Sequence, residues 1–145
     1  MLNNKGQSLI LFIVILPILL LILVLVIDVG RIIVLKQELD NINKIVLDYG
    51  LDNLDMDNLN DKIIELVKLN NNEIDDININ LELDKLYIEL NMDTGGMLSG
   101  LVDISIFDIK SSYVGYIKDD KKIIERISGW YYESFFGKSS YGFFS

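Results

Sequence analysis

Nineteen consecutive residues, Leu9 to Ile27, carry neither a charge nor an amide: LILFIVILPILLLILVLVI. In a helix this run rises roughly 28 Å, the thickness of the hydrocarbon core of a bilayer. A chain with such a stretch has few ways to fold. The run is a cleaved signal peptide, a signal anchor or something more particular. A cleaved secretory signal is a poor fit, because its apolar stretch is shorter and ends at an A-x-A-like site, whereas here IDVGR follows. The run is therefore expected to be a transmembrane segment, with residues 7–31 as its extent. Lys5 precedes the span and assigns the N-terminus to the cytoplasm, although Arg31 and Lys36 follow it and weaken the bias. The rest of the chain is then extracytoplasmic.

That remainder is acidic. Beyond Arg31 there are 21 Asp and Glu against 11 Lys and Arg. A surface of this sign repels phosphate, so nucleic acid is excluded as a partner. Cysteine and histidine are both absent, so neither a disulfide, a thiolate nucleophile, a Cys/His zinc site nor an imidazole base can be built. No GxSxG, SxxK or phosphate-binding glycine loop is present either. The expectation is a protein with no catalytic residues, no cofactor and no metal. Clustered Asp and Asn between Asp52 and Asn60 invite a calcium reading, but the EF-hand spacing fails from both Asn53 and Asp55.

The helix is expected to continue past the membrane. Ile32, Leu35, Leu39, Ile42, Val46 and Tyr49 recur at spacings of three and four, with Lys, Asp, Glu and Asn between them. Such a heptad stripe needs a partner surface, either within the domain or on a neighbouring subunit. Gly50 follows at the position of a helix C-cap. Asp28 and Arg31, at i and i+3, can pair at the outer edge of the span or simply mark that edge, and Gly30 between them allows close approach of another helix. Pro17 removes one backbone hydrogen bond, which a membrane helix tolerates.

The order Lys5-Gly6-Gln7-Ser8, Phe12, Leu16-Pro17 and Ile27-Asp28-Val29-Gly30-Arg31 resembles the TadE-like proteins of the Tad (Flp) pilus-assembly system. The resemblance covers about the first fifty residues. It implies a pilin-like protein with a short basic leader, residues 1–6, cut by a prepilin peptidase between Gly6 and Gln7. Partners would be the membrane, other pilus or pseudopilin subunits and assembly proteins. Pilins commonly carry Glu five residues after the cut, where this chain has Leu11. Leucine cannot offset the charged N-terminus of a neighbouring subunit inside the bilayer. The substitution points to a minor, tip or priming component or an uncleaved anchor, in place of a repeating filament subunit.

The external part is expected to be helical over 32–72, a β-sheet over 73–120 and an aromatic tail over 121–145. Leu59, Ile63, Leu66 and Val67 define one face of a second short helix capped by Asp57 or Asn58. Ile77, Ile79, Leu81 and Leu83, then Leu86, Ile88, Leu90 and Met92, alternate with polar residues around Asp84-Lys85, the pattern of a β-hairpin with one buried face. Gly95-Gly96 signals a turn. Val102, Ile104 and Ile106 form a third expected strand with a bulge at Phe107–Ile109, and Tyr113–Ile117 a fourth. Eight of the fourteen aromatic residues fall between Trp130 and Phe144, where Trp130, Tyr131, Phe135 and Phe136 either complete the core or form an exposed or membrane-interface patch. The fold class is α+β and pilin-like: a long transmembrane helix continuing into a small external domain with a short helix and an antiparallel sheet. The function is that of a minor pseudopilin in a Tad-type pilus or related secretion assembly. The alternative is a single-pass surface protein that binds a partner or ligand without polymerising.

Overall fold

The structure is a computed structural model that describes residues 4–95 and 108–127. Its dominant element is α1, Asn4–Asp52, which is about 70 Å long. Pro17 lies inside it. After a short turn comes α2, Leu59–Asn70. Four strands follow: β1 Asp76–Glu82, β2 Lys85–Asp93, β3 Asp108–Lys118 and β4 Lys121–Arg126. They form one antiparallel sheet in the order β1-β2-β3-β4, so every neighbour in sequence is a neighbour in space. The fold is α+β, with the long helix leading into the domain.

The core lies between the outer half of α1 and one face of the sheet. Leu39, Ile42, Val46, Leu47 and Leu51 of α1 pack on Leu86, Ile88, Leu90 and Met92 of β2 and Ile109 and Tyr113 of β3. From α2, Leu59, Ile63 and Val67 close the cluster, with Leu66 partly buried beside them. Leu47 and Leu51 lie against Gly115, where a β-carbon would stand 3.0 Å from Leu51 and 3.2 Å from Leu47. The glycine therefore sets how closely the helix can lie on β3.

Several expectations need correction. Gly50 does not cap α1; it is a buried residue inside the helix, and a β-carbon there would collide with the Leu86 side chain. Packing overrides its stop signal, because the open side of the glycine is filled by β2. Asn58 stands at the N-cap position of α2 but makes no side-chain capping bond. The β1–β2 turn is Leu83-Asp84, one residue earlier than expected, and Lys85 pairs with Glu82. Both turn residues have positive φ (49° and 60°), as do Asp119 and Asp120 in the β3–β4 turn (52° and 57°). Two successive left-handed residues match the twist of the strands they connect.

β2 buries both faces, because Tyr87 and Glu89 are nearly as inaccessible as the core residues between which they alternate. One face is covered by α1, and on the other Glu89 is engaged by side chains of the neighbouring strand β3. Glu89 accepts from Lys110 Nζ at 2.8 Å and from Ser112 Oγ at 3.1 Å. Tyr113–Ile117 is part of β3, not a separate fourth strand. The fourth strand is Lys121–Arg126, which carries the sheet past residue 120. Its two isoleucines, Ile123 and Ile124, are adjacent and offer no alternation to read. The expected strand at Val102–Ile106, Phe107 of the bulge, Gly96 and the aromatic residues from Trp130 onward lie outside the described residues.

Candidate functional site

The candidate site is α1 itself, which presents three different environments along its length. In the first, Leu9 to Ile27, every residue except Pro17 and Val24 is an exposed large apolar side chain. This is the one helix among the described residues that is long and apolar enough to cross a membrane. Lys5, Gly6 and Gln7 occupy its first turns. Gly6 has open space where a β-carbon would stand, and Gln7 is exposed.

The second environment is the boundary. Asp28 is only 5 % exposed, between Ile27 and Val29 at about half exposure. Arg31 is exposed, and a β-carbon added at Gly30 would meet nothing within 4 Å. The boundary thus holds a buried carboxylate, an open helix face at the glycine and an accessible cation within one helical turn.

In the third, two stripes run side by side. Leu39, Ile42 and Val46 are buried against the sheet, and Ile32, Leu35 and Tyr49 pack partly buried at the margins of the same cluster. Next to them lies a polar stripe, Lys36, Asp40 and Asn43, again spaced by four and three. The Asp40 carboxylate pairs with Lys36 Nζ at 2.9 Å, accepts from Ser111 Oγ at 2.7 Å and forms an ion pair with Arg126 of β4. Lys36 also donates to the Lys110 carbonyl. The fully buried Asn43 amide donates to the carbonyls of Ile88 at 3.1 Å and Ser111 at 3.0 Å, and its Oδ1 is buried without a partner among the described residues. Further out, Lys122 of β4 bridges Asp48 and Asp52 at 2.8 and 2.6 Å.

Together these contacts fix the helix on the sheet in angle and in register. Apolar packing tolerates a small slide, whereas directional hydrogen bonds from Asn43 to two strands do not. Arg126 lies over the ring of Tyr113, 5.5 Å from its centroid, and its guanidinium is held above its ordinary range by the Tyr113 hydroxyl and by Asp40. The Lys122 ammonium is likewise raised, by hydrogen bonds to Asp48 and Asp52. No group of three or more metal-ligating acidic side chains gathers among the described residues.

Sequence reasoning placed Lys, Asp and Asn between the members of the apolar stripe and missed that Asp40 and Asn43 are buried. The signal was present: Lys36, Asp40, Asn43 and Leu47 repeat at four, three and four, a second stripe one residue out of phase with the first.

Residues 6–42 match the family model described as TadE-like protein. Over this stretch, about a quarter of the chain, the helix is similar to TadE-like proteins. The matched stretch lies wholly within α1 and runs from the first turn, through the apolar span and the boundary, to Ile42 in the seam with the sheet. The TadE-like match therefore covers all of the lipid-compatible segment and the first buried residues of the seam, Leu39 to Ile42, and none of α2 or the sheet. Neither the comparison with curated proteins nor that with solved structures gave a match.

Proposed function

We propose that the protein is a membrane-anchored, pilin-like component of a Tad-type pilus or related secretion assembly, acting by helix packing and protein contacts and not by catalysis. The observation that carries this reading is the TadE-like match to a helix whose first half is apolar all round and whose second half is clamped on a four-stranded sheet. A helix shared in this way gives an assembly two interfaces, one in lipid and one outside it. Transmembrane association needs close backbone approach, and Gly30 leaves room for it at the boundary.

In this role Lys5, Gly6 and Gln7 are the processing junction, with prepilin peptidase as the partner that cuts after Gly6. Asp28, Gly30 and Arg31 set the depth of the helix, and the stripe from Ile32 to Tyr49 carries the external domain. Leu11 in place of glutamate favours a minor, tip or priming role. The test is mass analysis of the mature N-terminus from cells with and without the peptidase. A chain beginning at Gln7 only when the peptidase is present is the expected result. Identical uncut protein in both would leave a single-pass anchor that does not pass through the pilus pathway.

A further inference from the structure

The sheet extends past the end of the helix that covers it. Gly50 and Leu51, in the last turn of α1, lie against Leu86 of β2 and Gly115 of β3. Beyond that level the strands run on to the turns at 83–84 and 119–120, and the helix side of the sheet is no longer covered by α1. Four apolar side chains are exposed at this end. Leu81, paired with Leu86, and Ile117, two residues past Gly115, are half exposed. Leu83, in the β1–β2 turn, is 89 % exposed, and the exposed Met56 lies in the turn that follows α1. Single exposed apolar residues are ordinary on a protein surface, whereas several gathered at one end of a domain mark a contact site.

The fold gives no reason for a leucine at position 83. Its φ of 49° lies in the left-handed region, which a bulky side chain avoids and which asparagine, aspartate or glycine adopts at less cost. The β3–β4 turn meets the same demand with Asp119 and Asp120. Burial could offset the cost at Leu83, yet this side chain buries almost nothing. Backbone strain held at an exposed apolar residue points to a role outside the fold.

The surroundings select the partner. The three turns at this end, residues 53–58, 83–84 and 119–120, hold five aspartates and neither lysine nor arginine. Strand alternation turns Lys85, Lys118 and Lys121 to the opposite face of the sheet. On the helix side stands Lys122, which Asp48 and Asp52 share. A second copy of this acidic chain would bring like charge to this surface, whereas a cationic partner brings the complement. We propose that the surface formed by Leu81, Leu83 and Ile117 docks a partner protein through a segment whose apolar side chains are flanked by lysine or arginine. The proposal rests on the anchored reading of α1, which turns this end of the domain away from the membrane.

Benzoylphenylalanine incorporated at Ile117 is activated by light in intact cells that produce the protein naturally, and the adducts are identified by mass, with and without Leu83→Asn. The expected result is an adduct with a basic segment of another protein, its yield falling about tenfold in Leu83→Asn, the loss of one anchor residue of an interface. The same probe at Leu69, exposed on α2, is expected to give no such adduct. Full-length Leu83→Asn protein should melt in detergent no lower than wild type, because asparagine accepts left-handed backbone. An adduct joining two copies of the chain, an adduct with an acidic segment, a yield indifferent to Leu83→Asn, or no adduct at all would overturn the proposal. A lower midpoint for Leu83→Asn would overturn it too, since Leu83 would then serve the fold. Recovery of the protein in the soluble fraction overturns the anchored reading instead, so the two failures are distinct.

Discussion

Asn43 is the residue on which the attachment of helix to sheet most depends. It is a polar side chain in the middle of an apolar seam, and it links β2 and β3 to α1 through two carbonyls. Asn43→Ala removes both donors and leaves buried acceptors behind, while also removing the already partnerless Oδ1. The net cost expected is about 1–2 kcal/mol, read as a lowered thermal midpoint of the full-length protein in detergent. Alkaline pH acts on two other residues. Burial first, and the Glu82 charge second, raise the pKa of Tyr87, while hydrogen bonds to Asp48 and Asp52 raise that of Lys122. In both cases the protonated form is the one the fold favours. Their contributions are therefore fully present below the ordinary range of about pH 10 and are lost as the pH rises through the raised values. The midpoint should hold through neutral pH and fall above about pH 10. Tyr87→Phe should retain more of its midpoint there than the wild type does.

At the scale of elements, the seam tests whether α1 is held by its stripe. Leu39 is 1 % exposed and Ile45, six residues on, is 57 % exposed on the other side. Leu39→Asp buries a carboxylate with no partner at a cost of several kcal/mol, a large part of the stability of a small domain. Ile45→Asp meets water. Full-length protein melted in detergent should lose most of its cooperative transition in the first variant and keep it in the second. Equal midpoints would mean that the stripe does not pack within the subunit. Long elements with one strong period were legible in the sequence: α1, the apolar face of α2 and the existence of the β1–β2 hairpin follow from spacing, but its single buried face does not hold, since Leu81 and Leu83 are exposed, Leu83 lies in the turn, and β2 is buried on both faces. Boundaries were not. The Gly50 stop signal failed because its meaning depends on what fills the space beside it, and Leu86 lies 36 positions further along the chain. β4 was missed because Ile123 and Ile124 are adjacent and its other residues are charged. What holds it is pairing with β3 and the ties from Lys122 and Arg126 to α1. The polar seam was hidden for a similar reason: a heptad reading assigns polar residues to water unless a partner strand is known.

At the scale of the molecule, one helix belongs half to a bilayer and half to a domain. The apolar first half has no packing partner among the described elements, and the second half is inseparable from the sheet. The outer half of α1 is held on the sheet in register by hydrogen bonds and ion pairs as well as by apolar packing. The claim from which everything else follows is that α1 crosses the membrane with the domain outside. The chain has no cysteine, so single cysteines can be introduced without background. Asp84→Cys, at the tip of the β1–β2 turn, and Ser8→Cys, in the first turns of α1 and retained after a cut behind Gly6, are treated in intact cells with a maleimide that cannot cross the membrane. The Asp84→Cys protein is expected to take up label in intact cells, and the Ser8→Cys protein only after the membrane is opened. Label on the Ser8→Cys protein in intact cells, with the Asp84→Cys protein protected, would contradict the claim.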